Sequence, residues 1–206
     1  MSLPTLSQIE TMLNLQDSMN TKVNADWRRQ NFAWYRAIWI ECAELLDHYG
    51  WKWWKHQEMD RDQVVLELID IWHFGLSILI VNDSDKEQLC QNLTLGLSDS
   101  LSLEFPEQLE AFTEQVLHTR SFDVRRFGGL MKTIGLDFDE LYSSYVGKNV
   151  LNMFRQDKGY KEGTYIKNWG GKEDNEWLIE VMQQLDMSAA DFADSVYFEL
   201  NASYPD

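Results

Sequence analysis

Between Val64 and Val81 the chain reads VVLELIDIWHFGLSILIV, and its only titratable side chains there are Glu67, Asp70 and His73, each three residues after the last. The run is nearly long enough to cross a bilayer, but three ionisable groups make insertion costly, so the expectation is a buried helix in a soluble bundle. On a helix this spacing makes one stripe, with neighbours about 60° apart around the axis. A second pair at the same spacing, Glu41 and Glu44, interrupts the apolar stretch AIWIECAELL at 37–46. Like charges three residues apart repel, and an ionised carboxylate buried without a partner is expensive. Consecutive helices with a short link pack antiparallel, which can bring Glu41, Glu44, Glu67 and Asp70 together. A shared cation would then let them coexist, and oxygen-only ligands favour Mg²⁺, with Mn²⁺ as a substitute, over zinc. The competing explanations are solvated helix faces and ion pairs, with Arg36 the rival partner on the second helix.

The rest of the chain reads as helices too. Leu6, Ile9, Met12, Leu13 and Met19 give a first helix over about 5–20. A second runs from about 31 to 49, with Gly50 placed as a left-handed cap. The tryptophan-rich link 51–55 leads to the third, about 60–81, and 82–86 form a turn. Residues 87–135 suggest three short helices broken near 98–102 and 118–121, with Pro106 in a first turn, a stretch that could form a small helical subdomain. Asp137-x-x-Glu140 resembles a capping box opening a helix through Phe154. Four glycines make 156–172 a loop, a helix follows over about 174–185, and Ser188-x-x-Asp191 suits the cap of a last one ending near 203. No strand alternation is visible. The expected fold is all-α, one domain over 1–206 with a four-helix core.

Charge narrows the partners. The formal net charge of −16 argues against a sequence-independent grip on DNA or RNA, so no nucleic-acid polymer is expected. Yet 148–172 holds six basic residues against two acids, a local positive segment that suits a small, highly charged anion. Cys42 and Cys90 read as buried reduced thiols rather than a disulfide framework. No basic segment followed by an apolar one opens the sequence, so the expected location is the cytoplasm, with no membrane attachment.

His73 reads either as a hydrogen-bonded core residue or as a ligand. Asp70-x-x-His73 echoes the Glu-x-x-His element of di-iron bundles, but those need it twice, and His48, His56 and His118 do not repeat it. A divalent cation on carboxylates and a Lys/Arg cluster are the two halves of a nucleotide polyphosphate site. Lys148, Asn152 and Arg155 share one helical face, and Tyr160 and Lys167 lie on the glycine-rich loop beyond. Neither a GxxxxGK[ST] phosphate loop nor a Rossmann fingerprint is present to offer another route.

Three blocks resemble the dimeric dUTPase family of all-α NTP pyrophosphohydrolases. They are ECAELLD from Glu41 with WKWWK from Trp51, ELIDIWHF from Glu67, and YVGKNVLNMFR from Tyr145 with GYKEGTY from Gly159 and KNWGGKEDN from Lys167. A weaker LNLQDSMN from Leu13 brings the coverage to about a third of the chain. Two positions depart from the family pattern: Asn20 is followed by Thr21-Lys-Val, and Trp53 stands where the family carries a histidine between two tryptophans.

The resemblance implies magnesium-dependent hydrolysis of dUTP, and of dUDP, by a homodimer. It implies that Glu41, Glu44, Glu67 and Asp70 hold the metal with Asn152 in support, and that Glu41 or Glu44 is the catalytic base. Lys148, Arg155, Tyr160 and Lys167 would bind phosphates. Gln16, Asn20 and Trp54 would form the uracil pocket, with His73 and Phe74 against the deoxyribose. Two other readings stay open: a related pyrophosphohydrolase acting on dCTP or other nucleoside triphosphates, and a non-catalytic nucleotide- or metal-binding regulator on the same scaffold.

Overall fold

The computed structural model describes residues 4–83, 85–98, 104–186, 189 and 191–205. Among them the chain is almost wholly helical: α1 (Leu6–Val23), α2 (Trp34–Tyr49), α3 (Arg61–Asn82), α4 (Lys86–Ser98), α5 (Phe105–Thr119), α6 (Val124–Thr133), α7 (Phe138–Asp157), α8 (Asp174–Gln184) and α9 (Phe192–Ser203). Strands β1 (Asn168–Trp169) and β2 (Lys172–Glu173) pair antiparallel around Gly170-Gly171, a two-residue ladder that alternation over four to eight residues could not have signalled.

Local chemistry sets most boundaries. Thr5, Asp60, Asp123 and Asp137 each accept an N–H of the following first turn, capping α1, α3, α6 and α7. Asp137 accepts the Glu140 N–H at 2.9 Å, as its motif predicts. Glu140 does not complete the box, because its carboxylate takes a two-pronged bond from Arg61 at 2.6 and 2.7 Å. A reciprocal capping box forms instead at Glu173 and Glu176, opening α8. The second helix starts at Trp34 rather than near 31, because a 3₁₀ turn at Trp27–Arg29 and the left-handed Asn31 (φ 52°) precede it. Gly50 closes α2 at φ 89° as expected. Of the expected last cap, Ser188 lies outside the described residues, and Asp191 makes no side-chain cap bond.

α3 runs through the middle of the bundle and is buried nearly all round, as its unbroken apolar run demands. Although long and apolar enough to span a bilayer, it is a core helix here. Trp72 is sealed in and stacks on Phe127, with ring centroids 5.0 Å apart. Burying such a ring contributes on the order of 2–3 kcal/mol. Gly75 is required by close approach: a Cβ there would lie 2.5 Å from the Phe122 ring. Helices α1, α2 and α7 flank α3, and apolar side chains of α4, α5 and α6 join the same core. A second cluster, from Leu66 through Phe154 to Leu178 and Leu200, fastens α8 and α9 to α7.

Candidate active site

α2 and α3 pack antiparallel, since the Asp60 N–H bonds the His48 carbonyl at 3.0 Å while Glu41 lies opposite Glu67 and Asp70. One carboxylate oxygen from each of Glu41, Glu67 and Asp70 falls within 4.8 Å of the other two. Burial, then contact with Glu41 and the charge of Asp70, pushes the Glu67 carboxyl well above its ordinary range. Burial and the Asp70 charge raise Glu41 in the same way. Glu44 is exposed on the solvent side of the cluster, near enough that its charge adds to the strain on Glu41. Arg36 takes no part: among the described residues it makes no ion pair, and its guanidinium lies over the Tyr35 ring.

The cluster has one close cation. Lys148 Nζ, only 1% exposed, sits 2.8 Å from Asp70 Oδ2 and donates to Asn175 Oδ1 at 2.9 Å. His48 Nε2 is 3.7 Å from Glu67 Oε1. Three ionised carboxylates beside one ammonium would leave a net charge of −2 in a half-buried site, which protons or one divalent cation can balance. The donor set is all oxygen, matching a hard cation, and the raised carboxyls report the missing compensation.

Above the acids opens a cleft of about 370 Å³. Nine positions singled out by sequence line it: Gln16, Asn20, Glu41, Asp70, His73 and Phe74 on the first three helices, and Asn152, Arg155 and Tyr160 beyond. Glu67 and Lys148 stand directly behind its floor. Glu44, Trp54 and Lys167 are outside it: Trp54 is exposed edge-on to Trp51 and Trp53, and Lys167 pairs with Glu173 at 2.9 Å on the surface.

One wall is a closed hydrogen-bond circuit. Gln16 donates to Asn20 at 3.0 Å, Asn20 to Ser77 Oγ at 2.9 Å, and Ser77 to the His73 carbonyl at 3.0 Å. Tyr145 Oη, which donates to the Met12 carbonyl at 2.9 Å, lies 3.1 Å from Gln16 Oε1, and that oxygen is 2.7 Å from His73 Nδ1. Since that oxygen can only accept, Nδ1 carries the imidazole proton. Burial drops the His73 pKa to about 4, so the ring is neutral and Nε2 is an acceptor with no hydrogen-bond partner among the described residues.

The opposite wall is built on Asp174, fully buried at the start of α8. Arg155 grips it with Nε at 2.7 Å and Nη2 at 2.9 Å, and Tyr165 Oη donates to it at 2.8 Å. Arg155 Nη1 donates to Asn152 at 3.0 Å and Nη2 also reaches Asn175 at 3.3 Å, leaving one Nη1–H unspent among the described residues. Asp174, Asn175, Ser77 and Tyr145 were not singled out by sequence. Asp174 and Asn175 sit in the KEDN tail of the third block, where they read as helix-opening residues. Only the fold reveals that they orient Arg155 and Lys148.

Fold and site together define a helical-bundle protein with a carboxylate-floored cleft, flanked by an anchored arginine and a wall of amide groups. A family model described as dUTPase matches residues 8–160, so the chain belongs to the dUTPase family, and dUTP diphosphatase activity goes with that membership. Metal dependence is general in that family, and among the described residues Glu41, Glu67 and Asp70 form a half-buried acidic triad that could hold a metal ion. No curated protein matches the chain.

Proposed function

We propose that the protein hydrolyses dUTP to dUMP and pyrophosphate, and dUDP to dUMP and phosphate, with Mg²⁺ as its working ion and Mn²⁺ as a substitute. The observation that carries this reading is the convergence of three acid oxygens within 4.8 Å beneath a cleft bearing both a neutral amide wall and an anchored arginine. A divalent cation held by Glu41, Glu67 and Asp70 would neutralise phosphate oxygens and lower the pKa of a water.

The residues of the chain do the rest. Each acid gives one oxygen, which leaves a second carboxylate oxygen on Glu41, a cleft residue, to take the proton of the attacking water. Lys148 holds Asp70 in place through its 2.8 Å contact. Arg155, fixed by Asp174, offers its unspent Nη1–H to a phosphate oxygen, and Asn152 steadies that guanidinium. Tyr160, half-exposed at the cleft mouth, closes over the phosphates. Gln16 and Asn20 carry the amide edges that a uracil ring would meet. His73 Nε2 accepts from a sugar hydroxyl, with Phe74 against the deoxyribose. The same reading makes the protein a cytoplasmic homodimer, supported by Trp39 and Ile40 standing half-exposed on the outer face of α2.

Initial rates with dUTP, dCTP, dTTP, UTP and the purine triphosphates, with Mg²⁺ and with chelator, test it. The expected result is Mg²⁺-dependent release of pyrophosphate with dUTP preferred at least tenfold. Preference for dCTP would move the substrate assignment, and binding without turnover would leave a regulator.

A further inference from the structure

A second cavity has the opposite charge character to the catalytic cleft. It measures about 480 Å³, within the range of small-molecule sites, and is lined by Arg28, Arg36 and Arg120 together with Phe32, Trp34 and Tyr35. Among the described residues no acid lines it, in a chain with 34 acids and 18 basic residues. The Arg36 and Arg120 guanidiniums lie 5.7 and 5.4 Å from the centroid of the same Tyr35 ring. Neither makes an ion pair among the described residues. Arg28 is partly balanced by Asp17 at 3.0 Å.

Arg36 is held at a cost, and Arg120 is fixed by a helix end. Arg36 is in the first turn of α2, where the helix dipole disfavours a cation, and that turn has neither an acid nor a side-chain cap. Arg120 closes α5 as its left-handed C-cap (φ 55°), its N–H bonded to the Val116 carbonyl at 2.8 Å, and this helix end sets its side chain at the cavity. An uncompensated cation at a helix start, lining a cavity, is what a binding site produces, and an anion there would relieve it directly. The remaining walls are aromatic. Phe32 stands edge-on to Trp34, with centroids 5.4 Å apart, and presents an exposed ring. Arginines beside stacking faces recognise a phosphate attached to a planar ring.

We infer that this cavity is a second nucleotide site, taking a nucleoside phosphate with its phosphate on Arg36 and Arg120 and its base against the Phe32–Trp34 wall. It uses none of the catalytic carboxylates and stands or falls independently of the hydrolytic assignment. Trp27, Phe32 and Trp34 also line the catalytic cleft, so the two sites share a wall.

Calorimetric titration of the full-length chain with dUMP tests the inference, run beside Arg36→Ala/Arg120→Ala and Asn82→Asp. The second variant adds a negative charge to the cavity lining without touching either arginine. The wild type is expected to show two classes of site. The arginine variant should weaken one class at least tenfold while leaving the other class and dUTP turnover unchanged, and Asn82→Asp should weaken the same class about threefold or more. Inorganic phosphate should compete for that class, and uridine without phosphate should not bind it. The inference is overturned by a single class insensitive to both variants. It is equally overturned by loss of both classes together with turnover, which would make the arginines part of the catalytic cleft. A change of sedimentation coefficient with dUMP binding intact would overturn it too, making this face a contact between copies.

Discussion

Glu67 carries the sharpest conflict in the molecule. It is buried beside two other acids, and the lysine nearest the cluster, Lys148, is in contact with Asp70. Replacing it with glutamine keeps the shape and removes the charge. Glu67→Gln is therefore expected to raise the melting temperature of metal-stripped protein at pH 8 while lowering kcat at least about a hundredfold. Calorimetry and steady-state rates check the two halves, and turnover near wild type would remove Glu67 from the metal set. Asp174 is the reverse case. Burial opposes its charge, but the Arg155 hydrogen bond and charge, with Tyr165, hold its pKa below the ordinary value. Asp174→Asn leaves Arg155 without its countercharge, a change that costs about 3–5 kcal/mol when a buried pair is broken. Urea denaturation should report that loss, and KM for dUTP should rise as the Nη1–H loses its aim.

At the scale of elements, what could be read in advance was what local chemistry determines. The α3 run, the Gly50 cap, the Asp137 cap and the position of Pro106 each depend on a few neighbouring residues. The misses come from partners distant in sequence or from elements too short to leave a pattern. Glu140 abandons its capping role because Arg61, 79 residues away, offers a bidentate bond. The β1–β2 ladder is too short for any alternation. In the site, the i, i+3 stripe on α3 puts Glu67, Asp70 and His73 on one face, whereas Lys148, expected among the phosphate-binding residues, is sealed beneath Asp70. Its helical face was legible, but the depth of that face was not. Gly75 illustrates the same limit, since nothing local marks it, yet α3 can pass Phe122 only without a Cβ. Gly75→Ala should destabilise the fold by about 1–3 kcal/mol in chemical denaturation, despite alanine's better helix propensity. A stability equal to or above wild type would show that the Phe122 ring can move aside.

For the whole molecule the acid cluster makes metal and pH a single variable. Glu41 and Glu67 are pushed up to about 7 and about 9 from an ordinary 4.5, so over that interval the folded chain binds more protons than the unfolded one. Their contribution to stability is fully present below about pH 4.5 and is lost as pH rises through those values. His73, lowered to about 4 from 6.5, acts in the opposite sense, its contribution being lost as pH falls from 6.5 towards 4. The two effects oppose one another between 4.5 and 6.5, and above 6.5 only Glu41 and Glu67 of these three still exchange protons. Metal-stripped protein should therefore lose stability steadily from pH 6.5 to 9. A divalent cation supplies the charge balance that protons otherwise provide, and it binds better as those protons leave. Melting temperatures in EDTA and in Mg²⁺ at pH 6.5, 7.5 and 9 should thus diverge, with the gap widening at each step. A gap that is constant or shrinks with pH would mean that the cation binds somewhere other than Glu41, Glu67 and Asp70, and the catalytic assignment would have to be rebuilt around that place.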